Sequence, residues 1–347
     1  MHRRIKSIKT DYRTIIGYQS YYLYGFMREN YNIKFSRLDV DINNHDDYRR
    51  GGAWLIELDN GQFKKLYIDT NDRNDINELF YNWSDVYAKI NLRNEDLKRD
   101  KVLPIGPSFG VSIWSPVQTL FHSIYNRMRW CKGYREPWKS YIKDYAYIFV
   151  RRAKYPKYNI ECVEDRDYIY TLNTLWYDDE TYVSTNRLRG VFARACKELF
   201  TTFQGGFFYI PNVESEFPKY REYLEEYKDM LIKKRVSMSE YMNCIEKSSF
   251  VFNTPSVCGC HGWKMAEYLA MGKAMISTHI NNVMPGEFVA GEHYIEANTD
   301  EEIRNSVKLL KDNPQIISKL KKNSIQYFND YLAPEAVIGR IIDKLYE

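Results

Sequence analysis

Nowhere in the chain do as many as 18 consecutive apolar residues occur, so no membrane-spanning helix is expected. The basic start Met1-His2-Arg3-Arg4 is not followed by an apolar run of signal-peptide length, and no secretory leader is expected. Cysteine is sparse and scattered: Cys131, Cys162, Cys196, Cys244, Cys258 and Cys260. No CxxC pair or Cys/His set has zinc-ligand spacing, so no metal is expected and reduced thiols in a cytoplasmic protein are. Charge of one sign is lacking too. The 50 basic and 46 acidic residues leave +4, too even a balance to imply nucleic acid. An excess of that size suits a phosphorylated ligand and an anionic membrane surface equally. No internal repeat or low-complexity tract breaks the chain.

What is present suffices for two ordinary cores. The 347 residues are 44% hydrophobic and 28% charged, which fits two soluble domains. Aromatics are abundant, with 31 Tyr, 17 Phe and 7 Trp. Tyrosine supplies apolar area with a hydroxyl that reaches water or a sugar; compositional drift accounts for the same abundance.

The first third reads as strands broken by loops. Residues 33–40 form a candidate strand. Strands 53–58 and 63–68 flank Asp59-Asn60-Gly61-Gln62, where Asn-Gly signals a tight hairpin. Residues 75–83 have helical spacing, 85–90 suit a short strand, and 102–105 run into Gly106-Pro107-Ser108-Phe109-Gly110. A strand stopping at such a turn suits the ligand-binding edge of an α/β sheet. From 114 to 143 basic residues interleave with aromatics: Arg127, Arg129, Trp130, Lys132, Tyr134, Arg135, Trp138, Lys139 and Lys143 among them. Three readings stand: peripheral contact with anionic lipid through 124–143, an acceptor site for an anionic or lipid-linked substrate, and a solvated, partly packed helical region.

The second half has a cleaner alternation. Strands are expected at 168–172, 207–210, after a Gly205-Gly206 turn, at 250–252 and at 274–277. Helices are expected at 185–199, 220–232, 240–247, 263–271, 300–312, 314–331 and 335–346. Leu188, Val191, Phe192, Ala195 and Leu199 share one helical face. Ser237 with Glu240 fits a capping box, and Gly272 fits a helix C-cap. Strand and helix in succession imply parallel pairing. The expected domains are 1–160 and 165–333, with a helix 334–347 packing back on the first; the boundary falls near 151–164.

Ligands in open parallel sheets lie at the carboxyl ends of strands. Those ends carry Asn173 and Thr174, with Arg187 and Arg189 beyond; Lys233, Lys234 and Arg235; and Asn253 to Glu267. In the last stretch a loop of small residues enters a helix whose free amides and dipole favour a diphosphate. Lys264 in its first turn adds a cation. Glu267 shares that face and suits a ribose's two hydroxyls, while Arg235 and its neighbours suit the base. A Lys-x-x-Glu spacing is also that of a plain surface ion pair.

The segment from Arg235 through Ser248-Ser249-Phe250-Val251-Phe252-Asn253, Gly259-Cys260-His261-Gly262-Trp263-Lys264-Met265-Ala266-Glu267 and on to Gly272 resembles the donor-binding half of GT-B glycosyltransferases. Pro285-Gly286-Glu287 and Gly291-Glu292-His293-Tyr294 continue the likeness, which spans about 165–330. The resemblance implies an α/β fold of two Rossmann-like domains with a cleft between them. It implies Glu267 on ribose, Lys264 on diphosphate, His261 and Gly262 near sugar or phosphate, and Gly259, Arg235, Asn173 and Arg187 in the same donor set. It implies a nucleotide-sugar donor, a glycan or lipid-linked acceptor, domain closure, and no cofactor or metal. More loosely it points to bacterial surface-polysaccharide assembly at the inner face of the membrane. One retaining family of this fold carries two Glu with seven residues between them; here that count back from Glu267 meets Gly259.

An inverting enzyme needs a base for the acceptor proton. The candidates are Asp69, Asp72 and His45, with Gly17, Gly106 and Ser108 lining the acceptor side. Asp39-Val40-Asp41 has metal-motif spacing but suits a solvated turn. The rival functions are a same-fold nucleotide-sugar epimerase and a non-catalytic glycan- or membrane-surface module.

Overall fold

The computed structural model describes residues 5–40, 50–129, 138–158, 166–177 and 179–347. The chain falls into two units: Met1–Tyr158 with Asn282–Gly286 and Asn329–Glu347, and Asn159–Asn281 with Glu287–Phe328. His45, Asp41, Trp130, Lys132, Tyr134, Arg135, Cys131, Cys162 and residues 159–164 of the expected boundary segment lie outside the described residues.

The first unit is built on a six-stranded mixed sheet. In chain order it holds β1 (Ile5–Asp11), α1 (Ile16–Arg28), β2 (Ile33–Ser36), β3 (Gly51–Leu58), β4 (Phe63–Asp69), α2 (Glu78–Trp83), β5 (Val86–Lys89), β6 (Val102–Pro104), α3 (Pro116–Arg129) and α4 (Trp138–Arg151). The sheet order is β2-β1-β3-β4-β5-β6. β3 is antiparallel to both β1 and β4, and the other pairs are parallel. The expected Asn-Gly hairpin is present: Gly61 takes φ +83° and the Leu58 amide donates to the Gln62 carbonyl at 2.9 Å. Asn77 caps α2, and Phe80 stacks on buried Tyr67 at 4.3 Å.

β2 ends at Ser36, short of the expected 40. The cause is Arg13, whose guanidinium takes the carbonyls of Leu38 and Val40 while paired with Asp11 at 2.8 Å. Those carbonyls serve the guanidinium instead of a ladder.

The second unit carries β7 (Tyr168–Thr174), α5 (Asp179–Leu199), β8 (Thr202–Phe208), α6 (Tyr220–Glu226), β9 (Leu231–Ile232), α7 (Met238–Lys247), β10 (Val251–Asn253), α8 (Trp263–Ala270), β11 (Met275–Ser277), β12 (Ile295–Glu296), α9 (Asp300–Asp312) and α10 (Pro314–Tyr327). Its ladders, β7-β8-β9 and β10-β11-β12, are parallel throughout. The Ser249 amide donates to the Tyr168 carbonyl at 3.0 Å, and the Tyr170 amide donates to the Ser248 hydroxyl at 2.9 Å. These bonds bring β7 alongside the entry to β10. The expected apolar face of α5 is buried, with Phe192 stacked on Phe252 at 4.7 Å in a core that also holds Ile276, Ile303 and Leu310. Thr299 and Glu302 close a capping box on α9.

Two local expectations are corrected. Gly205 and Gly206 lie within β8, not in a turn before it; added Cβ atoms would strike the Thr171 and Met230 carbonyls of the flanking chain. The helix expected at 220–232 stops at Glu226, because Leu231 pairs with Phe207 and pulls the chain into β9. The chain ends in α11 (Pro334–Leu345), which lies in the first unit and packs on α1.

Candidate functional site

The second unit gathers polar groups where β7 and β10 end and α8 begins. Asn173 and Thr174 close β7, and Asn253 closes β10. The following loop turns through two left-handed residues, Cys258 (φ 57°) and Gly259 (φ 68°). The Ser256 amide donates to the Cys260 carbonyl at 3.1 Å, which returns the chain to Gly262, the N-cap of α8. A glycine has no side chain to satisfy the first-turn amides, so this helix end presents them with the positive end of its dipole.

A cavity of about 130 Å³ opens there. Its walls are Asn173, Thr174, Trp176, Arg189, Phe252, Asn253, Thr254, Ser256, Gly262, Trp263 and Lys264. Lys264 Nζ donates to the Leu172 carbonyl and, at 3.1 Å, to Asn173 Oδ1. Burial, and then the charge of Arg189, push its ammonium down to about 7 against a weaker upward pull from Glu267. The residue as a whole keeps partial solvent contact. Arg189 Nε donates to Thr254 Oγ1 at 2.8 Å, and a second guanidinium nitrogen donates to the Thr174 carbonyl at 3.3 Å. Burial lowers Arg189 to about 10. Among the described residues neither cation forms an ion pair with a carboxylate. Buried cations ordinarily have anionic partners, so this pair leaves charge for a ligand to complete.

Glu267 follows on α8 and is 4% exposed. Its Oε2 accepts a hydrogen bond from the Tyr241 hydroxyl at 3.0 Å. It is not part of the cavity wall, although Lys264 and Asn173 are. Burial, followed by the Glu267 charge, raises the Tyr268 phenol. The alternative reading of the Lys-x-x-Glu spacing, a surface ion pair, is therefore not what the helix carries.

The remaining residues of the expected donor set divide. Gly262 lines the cavity, and nothing lies within 4 Å of a Cβ placed on it. Gly259 and buried His261 belong to the entering loop but stand outside the wall. Arg187 points away: it is 51% exposed and paired with Asp300. Arg235 is exposed on the loop before α7 and also stands outside the wall. Arg189 supplies the cation expected of Arg187, because residues two apart on a helix face nearly opposite ways. Thr254, one of the polar residues expected after β10, is in the wall, as is Trp176, which no spacing in the sequence points to.

In the first unit the base candidates have other work. Asp69, at the end of β4, accepts from the Tyr87 hydroxyl, from Lys89 Nζ at 2.7 Å and from the Asn71 amide at 2.8 Å. Lys89 is fully buried, so Asp69 is its counter-ion rather than a free base. Burial, then Asp69, raises the Tyr87 phenol well above its ordinary value. Asp72 pairs with Arg50. Gly106 takes φ +70° and packs against Leu332 and Pro285, not against open space. Ser108 is buried and accepts from the Tyr22 hydroxyl at 3.1 Å. The Gly17 carbonyl lies near Gly110 at the start of α1.

No family model matches the chain, and no curated protein sequence matches it. Its fold is similar to solved glycosyltransferases. A glycosyltransferase from Rickettsia africae shares 11% identity over 81% of this chain and 70% of its own, with a TM-score of 0.43. Anabaena HepE, solved with UDP, shares 10% identity over 78% of this chain and 65% of its own, with a TM-score of 0.44. The C-terminal domain of the group 1 glycosyl transferase LpcC from Francisella tularensis shares 14% identity over 48% of this chain and 86% of its own, with a TM-score of 0.34.

Proposed function

We propose that the chain is a glycosyltransferase that moves a sugar from a nucleotide-sugar donor to a saccharide or lipid-linked acceptor. One observation carries the reading: Lys264 and Arg189 face a single cavity at the N-terminus of α8 without a carboxylate partner among the described residues. That arrangement suits a diphosphate. In the overall reaction an acceptor hydroxyl oxygen bonds to the anomeric carbon, the carbon–oxygen bond to the β-phosphate breaks, and the hydroxyl proton passes to the departing diphosphate or to water. The nucleoside diphosphate leaves with the electron pair. Two cations and a helix dipole already aimed at that phosphate stabilise the charge as it develops.

On this reading Glu267 holds the ribose from the buried face of α8, and no metal is needed because protein cations offset the diphosphate. The likeness of 235–272 supports a place in surface-polysaccharide synthesis. Among the described residues Cys196, Cys244, Cys258 and Cys260 form no disulfide, which supports work in a reducing compartment, the cytoplasm.

Thermal unfolding against UDP, GDP, CMP, TDP and ADP tests the reading. One nucleoside diphosphate should raise the midpoint, and Lys264→Ala should remove that rise. Indifference to all five, together with no product from any nucleotide-sugar, would falsify it.

A further inference from the structure

We propose that the α3–α4 hairpin docks the first unit onto an anionic lipid bilayer. The inference is independent of the nucleotide site. It rests on the way α3 is turned. The residues it buries are Thr119, Ser123, Asn126 and Arg127. Its apolar residues point outward instead: Val117 is 78% exposed, Leu120 54%, Phe121 62% and Met128 58%, with Ile124 and Tyr125 between them. The positions 117, 120, 121, 124, 125 and 128 form one continuous helical stripe. An amphipathic helix packed on a water-soluble surface has the reverse arrangement.

The inversion is held in place. Asn126 Nδ2 donates to the buried Tyr145 hydroxyl of α4 at 3.0 Å, and the Arg127 guanidinium lies 4.9 Å from the Trp138 ring centroid. α4 extends the outward face with Trp138, Phe149 and Val150, the last 71% exposed. Between the helices a groove of about 120 Å³ is walled by Leu120, Ile142, Ala146, Phe149 and Val150. An apolar surface of this extent marks an interface.

Charge identifies what covers it. The described residues of 116–152 hold six Lys or Arg, namely Arg127, Arg129, Lys139, Lys143, Arg151 and Arg152, against Asp144. Lys139 and Lys143 are exposed on α4. Beside α3, a groove of about 370 Å³ is lined by Lys9, Lys34, Arg129 and the Phe35, Phe121 and Tyr125 rings. A second copy of this face would bring like cations together. Anionic headgroups complement them, with the aromatic and aliphatic side chains entering the acyl boundary. No helix among the described residues is long and apolar enough to cross a membrane, so the contact is interfacial.

Co-sedimentation of the full chain with phosphatidylcholine vesicles, with and without roughly one-third phosphatidylglycerol, tests this. Binding should require the anionic lipid and weaken at high salt. The variants Leu120→Gln/Phe121→Gln/Val150→Gln and Lys139→Glu/Lys143→Glu should each lower the partition coefficient about ten-fold or more. Their melting should stay native, because these side chains are exposed. Equal binding to neutral vesicles overturns the proposal, as does unchanged binding by natively melting variants. A wild-type dimer that the apolar variant dissociates, with no vesicle binding, also overturns it and assigns the face to a second copy. Hydrogen exchange on the wild type gives a reading free of variants. Protection of 117–128 with anionic vesicles supports the docking face, and unaltered exchange there sinks it.

Discussion

Arg189 lies near enough to Lys264 to lower its basicity, and both side chains line one cavity. Two like charges buried side by side oppose folding unless something anionic joins them. Either Lys264→Ala or Arg189→Ala should therefore weaken nucleoside diphosphate binding about ten- to one-hundredfold, as expected for losing one charge-assisted hydrogen bond of about 1.5–3 kcal/mol. Titration calorimetry reads the loss. Arg187→Ala, which removes only a surface pair with Asp300, should leave affinity within about twofold.

The depressed Lys264 makes binding depend on pH. Its ammonium falls from 10.5 to about 7, first through burial. Between those values the unfolded chain holds a proton on this lysine that the folded chain lacks. This residue's contribution to stability therefore rises with pH across that window and is level below it. A bound diphosphate restores the charge. Binding near pH 8 should take up part of a proton, and affinity should fall as pH rises past about 7. Calorimetry in two buffers of different ionisation enthalpy measures the uptake, which should disappear in Lys264→Ala.

Much of the second unit was legible because its signals are local. The Ser237 cap of α7, the Gly272 C-cap and the apolar stretch at Phe250–Phe252 act within a few residues. Arg187 and Arg189 are both plain in the sequence. A helical wheel separates them: Arg189 stands about 60° from buried Phe192, and Arg187 about 140°. The first unit was less legible. α1 hides behind Tyr18, Tyr21, Tyr22 and Tyr24, residues of weak helix preference that are held by tertiary contacts such as Tyr21 to the Leu332 carbonyl at 2.7 Å. The spacing of α3 is plain in the sequence, but no local rule says that its apolar stripe faces outward.

Gly25 sits where α1 meets α11. A Cβ there would lie 2.7 Å from an Ile338 side-chain carbon and 2.8 Å from the Pro334 carbonyl oxygen. Backbone cannot yield as a side-chain tip can. Gly25→Ala should cost about 1–3 kcal/mol despite its better helix propensity, because the two helices must part. Urea unfolding measures it. Gly262→Ala, with nothing within 4 Å, should cost under about 1 kcal/mol.

The cations of the nucleotide cavity also bear on metal dependence. If Lys264, Arg189 and the α8 amides offset the diphosphate, transfer should proceed after exhaustive EDTA treatment at about its original rate. Loss of activity that magnesium or manganese restores would show that the protein cations do not suffice.

Asp69 separates a structural carboxylate from a catalytic base. Its oxygens receive Tyr87, Lys89 and the Asn71 amide, and Lys89 has no exposed surface. Asp69→Asn keeps the shape but removes the charge that pairs with Lys89. Breaking such a buried pair costs about 3–5 kcal/mol. The variant should unfold at a much lower urea concentration, while the molecules that remain folded keep their turnover. Native stability with lost turnover would instead return Asp69 to the role of base. Lys89→Met with Asp69→Asn offers a second reading, since removing both charges together should recover much of the lost stability.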